Sequence, residues 1–274
     1  MHKAARMAIP RLIACDVDGT LLPTGQRQLA PSTITLIQRL LDKGIVFVPA
    51  SGRQYPSLKR VFAPFSASLP LIAENGTIAL AEGTCIFRAT MERSLGDEIV
   101  YAARARETCE VMVSGAEVSY LQPKTTSFLE LLRDAIKYRI VVVDDVTTID
   151  EPYSKIAIYH PDAYREAPYW RERFGSRCAV TVSGDTWVDL MPKGISKASG
   201  LRAICELYNI APHDCMAIGD ADNDVELFNY AGDSYAMQTA SARAKEHANH
   251  IVASADDVFA AILAEMHEHG ETPL

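Results

Sequence analysis

Cysteine is sparse in this chain and follows no pattern. Cys15, Cys85, Cys109, Cys178, Cys205 and Cys215 are scattered over 274 residues without one C-x-x-C pair, so a disulfide scaffold is excluded and the six read as reduced thiols of the core. Cys15 and Cys215 stand in apolar runs, where a free cysteine behaves as a small hydrophobe. A basic stripe is absent as well. With a net charge of -8 the chain offers no footprint for nucleic acid, and any attraction for a phosphate has to be local. No apolar run approaches a membrane span, and residues 1 to 10, which include His2, Lys3 and Arg6, hold no stretch long enough for a signal peptide. A cytoplasmic protein is expected, starting at Met1 or at Met7. Repeats and low-complexity tracts are missing, and His160, His267 and His269 lack the spacing of a ligand set, so they are given no chemistry.

What is present is the composition of a globular enzyme, 48% hydrophobic and 23% charged, long enough for one large domain or two medium ones. Its most informative stretch is Asp16-Val17-Asp18-Gly19-Thr20, directly after the apolar run Leu12-Ile13-Ala14-Cys15. A buried strand there delivers Asp16 to the carboxyl edge of a sheet, where open α/β folds place their ligands. Gly19 lets the chain turn sharply and brings Asp18 over the same volume. One carboxylate so placed can attack phosphorus while the other gives a proton to the leaving oxygen, and the two are expected to titrate as a coupled pair. A strand followed by an ordinary polar turn uses the same residues.

Three further segments follow. Pro49-Ala50-Ser51-Gly52-Arg53 comes after the apolar run 44–48. The Ser51 hydroxyl and the backbone N–H groups around Gly52 can hold phosphate oxygens without adding negative charge, although a Ser-Gly turn capping the next helix reads the same way. Lys197 stands where a strand gives way to a helix, and can neutralise both a nucleophile and a transferring phosphoryl group. Lys193 competes for that role and is set aside on its place in the motif. Last comes Gly219-Asp220-Ala221-Asp222-Asn223-Asp224 after the apolar run 216–218. Clustered hard oxygen ligands suit Mg2+, which takes one or two carboxylates, several waters and a substrate phosphate. The loop lacks the Gly and Glu positions of an EF-hand, and Asp222 also fits a plain helix cap.

Taken together, Asp16-Val17-Asp18-Gly19-Thr20, Ser51-Gly52-Arg53, Lys197 and the 219–224 loop resemble, in content and order, the four motifs of the haloacid dehalogenase superfamily. The long interval between the second and third motifs is similar to the type IIB or Cof-like sugar phosphatase branch, which inserts a large α/β cap there, and Glu74-Asn75-Gly76-Thr77 resembles that branch's Asn-Gly turn. The resemblance implies Asp16 as nucleophile and Asp18 as general acid and later base. It implies magnesium held by the Asp16 carboxylate, the Asp18 backbone carbonyl and Asp220, with Asp224 as a direct or water-mediated ligand. Ser51, Gly52, Lys197 and Asn223 would bind phosphate, and Arg53 and Asn75 are candidate substrate contacts. Ala221 departs from the polar residue or glycine often found at its position. The implied activity is Mg2+-dependent phosphomonoester hydrolysis through an aspartyl-phosphate, on a small phosphorylated metabolite such as a sugar phosphate, with no nucleic-acid or membrane partner.

Alternating strands and helices over 12–73 and again from 197 onward predict an α/β fold, a Rossmann-like doubly wound parallel sheet. Helix 32–42 buries one face through Ile34, Ile37, Leu40 and Leu41. The middle changes rhythm, with a hairpin at 77–87, helices near 95–108 and 163–174, and six further strands. It is expected to form an α+β cap of the C2 type, antiparallel with helices on one face, closing over the site. The division is core 1–82 and 189–274, cap 83–188. The cap's aromatics, Tyr120, Tyr138, Tyr153, Tyr159, Tyr164, Tyr169, Trp170 and Trp187, offer material for a sugar-stacking wall or for a core. A phosphomutase would use the same aspartates but needs cap arginines for a second phosphate, and no cluster of them is found. A cation-pumping ATPase needs membrane spans and has no acid like Asp18, and a dehalogenase needs no magnesium. A non-catalytic phospho-ligand sensor would not need every catalytic position filled.

Overall fold

The computed structural model describes residues 9–23, 25–65 and 69–269; the start-site and leader expectations for residues 1–8, and the side chain of His269, lie outside them. The first part of the chain supplies β1 (Leu12–Asp16), α1 (Pro31–Asp42), β2 (Val46–Ala50), α2 (Tyr55–Val61), β3 (Leu71–Ala73), β4 (Ile78–Ala81) and β5 (Thr84–Arg88). The middle supplies α3 (Arg93–Arg104), β6 (Glu110–Ser114), β7 (Ser119–Leu121), α4 (Thr126–Glu130), β8 (Ile140–Val142), β9 (Lys155–Tyr159), α5 (Ala163–Phe174), β10 (Cys178–Ser183) and β11 (Trp187–Pro192). The last part supplies α6 (Lys197–Tyr208), β12 (Cys215–Gly219), α7 (Val225–Tyr230), β13 (Asp233–Met237), α8 (Ala242–His247), β14 (His250–Val252) and α9 (Ala255–His269).

Eight strands form the first sheet in the order β14-β13-β12-β1-β2-β3-β4-β5. Pairing is parallel from β14 to β3 and antiparallel across β3, β4 and β5. The strand sequences explain the parallel part. β1 and β12 are buried at every position, as a strand covered by helices on both faces must be, so they read as unbroken apolar runs. β1 sits between β12 and β2, and the expected α/β core is present.

Six strands form the second sheet, ordered β10-β11-β9-β6-β7-β8, antiparallel except for the β7–β8 pair. Period-two alternation divides its faces. Val111, Val113, Ile156, Ile158, Val188 and Leu190 pack with Ile99 and Val100 of α3 and Trp170 and Phe174 of α5 in one apolar cluster. Their neighbours Met112 and Ala157 point the other way, into a smaller cluster with Phe128 and Leu132.

Here the structure corrects several expectations. Helical chain covers both faces of the second sheet, because α4 and the π-helical turn Leu131–Ile136 lie on the face opposite α3 and α5. α4, α8 and β14 were not anticipated. α4 and α8 are short segments held largely by their caps, the Thr125 and Ser241 hydroxyls accepting from the N–H groups of Phe128 and Ala244, and β14 is a three-residue edge strand. Cys85 is exposed while the other five cysteines are buried, and all six are free. Sheet membership also runs past both expected boundaries: β5 pairs with β4 in the first sheet, and β11 stays paired in the second through Pro192. We therefore propose the division near residues 89 and 192.

Candidate active site

The four sequence motifs converge at the carboxyl ends of three neighbouring parallel strands. Asp16 ends β1 in register with Ala50 of β2, Ser51 follows β2, and Asp220 follows β12. Lys197 is the first residue of α6. Its helix is placed by the turn at Glu74–Gly76: a Cβ on Gly76, whose φ is +91°, would lie 2.0 Å from the Ser196 carbonyl oxygen, so glycine alone lets the two segments touch.

Lys197 is fully buried and joins two carboxylates, its Nζ donating to Asp16 Oδ1 at 2.5 Å and to Asp224 Oδ1 at 2.6 Å. The second oxygen of Asp224 accepts the N–H groups of Asp220 and Ala221, each at 3.0 Å. Asp224 is therefore engaged on both sides and shapes the loop that carries Asp220. Burial pushes the Asp16 carboxyl well above the usual range; the Lys197 ammonium opposes this, and Asp224, Asp220 and Asp18 add to the rise. Burial also lifts Asp220, to about 6, with the charge of Asp224 next in importance. For Lys197 burial acts to lower the pKa, but Asp16 and Asp224 outweigh it and hold the ammonium charged.

This arrangement fits a hard cation. Asp16 Oδ2 is buried and has no hydrogen-bond partner among the described residues, a costly state for a carboxylate oxygen unless something positive meets it. Carboxylate oxygens of Asp16, Asp220 and Asp224 lie within 4.8 Å of one another, and the backbone at Gly19 makes room for Asp220, since a Cβ there would come within 2.0 Å of Asp220 Oδ2. The Asp18 side chain is not part of that group. Instead Arg53 grips it with two bonds, Nε to Oδ2 at 2.7 Å and Nη2 to Oδ1 at 2.5 Å. Asp18 still acts on Asp16 through its charge, while its own carboxylate is paired with Arg53.

Asp16, Asp18, Ser51, Gly52, Arg53, Asp220 and Asn223 all line one cavity of about 350 Å³ between the two sheets. Ser51 is buried, its Oγ accepting the Arg53 N–H at 3.1 Å. Asn75, expected to touch substrate, is 1% exposed. Its amide donates to Asp189 Oδ2 at 2.6 Å and to Ser183 Oγ at 2.9 Å, and its oxygen accepts from Asn223. It ties the core to the cap and is absent from the cavity's lining. Lys193, the alternative to Lys197, is exposed and donates to the Ser176 carbonyl.

The profile of the haloacid dehalogenase-like hydrolases matches residues 13–264. The chain belongs to that family. Among curated proteins, this haloacid dehalogenase-like hydrolase is 27% identical to the 5-amino-6-(5-phospho-D-ribitylamino)uracil phosphatase YbjI of Escherichia coli K12, over 84% of this chain and 86% of that one. It is also 27% identical to the HMP-PP phosphatase of an Enterobacter species, over 84% of this chain and 85% of that protein. A crystal structure from Eubacterium rectale superposes with a TM-score of 0.81 at 28% identity, covering 94% of this chain and 99% of the other. A subclass IIB sugar phosphatase of the superfamily shares the fold, with a TM-score of 0.76 at 16% identity over 94% and 98% of the two chains.

Sequence reasoning missed the cap side of this hydrolase's site. Lys155 is buried and its Nζ meets Glu74 Oε2 at 2.8 Å, the Gly52 carbonyl at 2.8 Å and Asp189 Oδ2 at 3.4 Å. Gln54, also buried, bonds Ser119 and the backbone of Arg139. The available signal was a charged residue at alternate positions of otherwise apolar strands, Lys155 in β9 and Asp189 in β11, which marks a strand face turned to something other than hydrocarbon.

Proposed function

We propose that this haloacid dehalogenase-like hydrolase is a phosphatase that removes phosphate from a small phosphorylated metabolite through an aspartyl-phosphate on Asp16. The observation that carries the reading is the unpartnered, buried Asp16 Oδ2, held at the cavity head by the bond from Lys197 to the other oxygen of the same carboxylate. The Asp16 carboxylate attacks phosphorus, the bond from phosphorus to the ester oxygen breaks, and Asp18 gives its proton to the leaving oxygen. In the second half Asp18, now ionised, takes a proton from the water that attacks phosphorus and frees Asp16. Arg53 grips both oxygens of Asp18, so this pair has to loosen for Asp18 to reach the leaving oxygen in the first half. Ser51 and the N–H groups beside Gly52 bind phosphoryl oxygens, and Asn223, which lines the same cavity, would help orient them once its amide leaves Asn75. Lys197 neutralises charge that would otherwise repel the substrate.

Magnesium, held by Asp16, Asp220 and the Asp18 carbonyl with Asp224 reaching it through water, would neutralise charge on the transferring phosphoryl group. Asp224 is given the indirect role because both its oxygens are already engaged. The named relatives are phosphatases, and the substrate in the first name joins a uracil to a phosphorylated ribityl chain. That supports a small phosphorylated metabolite here; a sugar phosphate is the narrower class implied by the sequence resemblance. A mutase would need a free cation for a second phosphate. The cationic side chains lining the cavity are Arg53 and Lys155, and both are already paired.

Phosphate release from a panel of phosphomonoesters, with magnesium or EDTA and beside Asp16→Asn, tests the reading. Metal-dependent release abolished by the substitution is expected. Folded protein that releases phosphate from none of them would refute it.

A further inference from the structure

Cys205 and Cys215 carry chemistry that the catalytic reading leaves unused. Cys205 lies in the last turns of α6 and Cys215 opens β12. Their Sγ atoms stand 3.4 Å apart, and both residues are buried. Cys85, Cys109 and Cys178 instead reach oxygen atoms, those of Phe87, Glu166 and Phe174. Disulfide sulfurs lie about 2.0 Å apart, so the pair at 3.4 Å has about 1.4 Å left to close.

The pair is not sealed inside the core. Cys205 lines a cavity of about 330 Å³ together with Arg11, Glu206, Asn209 and Tyr230. Glu206 and Asn209 are exposed, so the cavity opens at the surface, with room for a molecule little larger than water. Cys205 is also the readier of the two to ionise. The Cys215 thiol facing it favours its thiolate, burial opposes this, and the Tyr230 hydroxyl adds to the favourable side. The same contact, with burial, makes Cys215 hold its proton more tightly. Since the thiolate is the attacking form, one sulfur is fitted to meet an oxidant and the other to resolve the product.

We propose that Cys205 and Cys215 form a reversible disulfide when the folded protein meets hydrogen peroxide, tying the end of α6 to the start of β12. The Cys205 thiolate attacks one peroxide oxygen and the O–O bond breaks. The other oxygen leaves as water, taking a proton from solvent, and Cys205 becomes a sulfenic acid. The Cys215 sulfur then attacks that sulfur; the S–S bond forms, the S–O bond breaks, and the hydroxyl leaves as water with the Cys215 proton. Two thiols are oxidised and one peroxide is reduced, and a dithiol reductant restores the pair by exchange. Lys197 starts α6 and Asp220 follows β12, so the bond forms at the ends of these elements remote from the catalytic cavity. Its effect is on unfolding, because it closes a short loop in the unfolded chain.

The test adds hydrogen peroxide to the folded full chain, unfolds it and alkylates the remaining thiols. Peptide mass spectrometry should show Cys205 linked to Cys215, with Cys15, Cys109 and Cys178 alkylated. Tm should rise by several degrees, and dithiothreitol should reverse both changes. Cys215→Ser should leave a sulfenic acid on Cys205, captured by dimedone, while Cys205→Ser should leave Cys215 a free thiol. The mapped link in the unaltered chain decides the matter even if a serine variant fails to fold. Thiols that stay free in peroxide, or a link from either cysteine to a different one, overturn the proposal. The expected link without a rise in Tm overturns the effect assigned to it.

Discussion

Lys197 is the residue on which the charge arrangement depends. It is the cation bonded to both Asp16 and Asp224, and all three are buried. Lys197→Met leaves two carboxylates facing each other in a desolvated space, so the variant should lose about 3–5 kcal/mol of stability by denaturant unfolding in EDTA. With magnesium present, phosphate release should fall by about 10²–10³-fold. Near-native stability in EDTA would show that the carboxylates do not rely on the ammonium. This part of the site was legible in the sequence because each motif is a contiguous run ending a strand, and topology brings strand ends together. Lys155 and Asp189 leave only the trace of a lone charge in an apolar strand, and Gln54 leaves none. Each is a lone polar residue whose meaning depends on which strand faces lie opposite each other, and the sequence does not state that pairing. The Asn-Gly turn marks Asn75 in the sequence, but not that its amide bridges core and cap outside the cavity's lining.

At the scale of elements, the Glu74–Gly76 turn sets the position of α6. Glu74, Asn75 and Gly76 all have positive φ, at 51°, 55° and 91°, and Gly76 touches the backbone of Ser196 and Lys197. Gly76→Ala should destabilise the fold by about 1–3 kcal/mol through backbone strain and displacement of the helix start. It should lower kcat more than it raises KM for any substrate, since what moves is Lys197 and not the cap wall. An unchanged kcat would show that α6 is held by something other than this turn. Periodicity revealed the regular elements well, including β9 and α5 to their end residues. The hairpin strand expected to end at residue 87 is β5, which a boundary at residue 83 assigns to the cap because a hairpin breaks the strand-helix rhythm. Hydrogen bonding places it at the edge of the core sheet.

At the scale of the molecule, the two units meet, among the described residues, through a cluster of buried polar groups. Glu74, Lys155 and Asp189 form the centre of that contact, each 3% exposed or less. Lys155→Met strands two buried carboxylates and should cost about 3–5 kcal/mol, read as a lowered denaturant midpoint. A midpoint like that of the unaltered chain would mean that the cap does not dock through this network. Magnesium should stabilise the whole chain by linkage, about 2.7 kcal/mol at a hundredfold excess over Kd, which is a rise of several degrees in Tm. Asp220→Asn should abolish that rise; a rise kept in full would place the ion elsewhere. Among the described residues no helix is long and apolar enough to cross a membrane.

The central claim is that Asp16 carries the phosphoryl group. Asp18→Asn removes the base that frees it, and p-nitrophenyl phosphate has a leaving group good enough to depart without an acid. Acid-quenched Asp18→Asn, incubated with that ester and magnesium, should show by peptide mass spectrometry one phosphoryl group on Asp16, formed with a burst of p-nitrophenolate. Steady release of phosphate with no label on Asp16, or a label on another residue, would contradict the account.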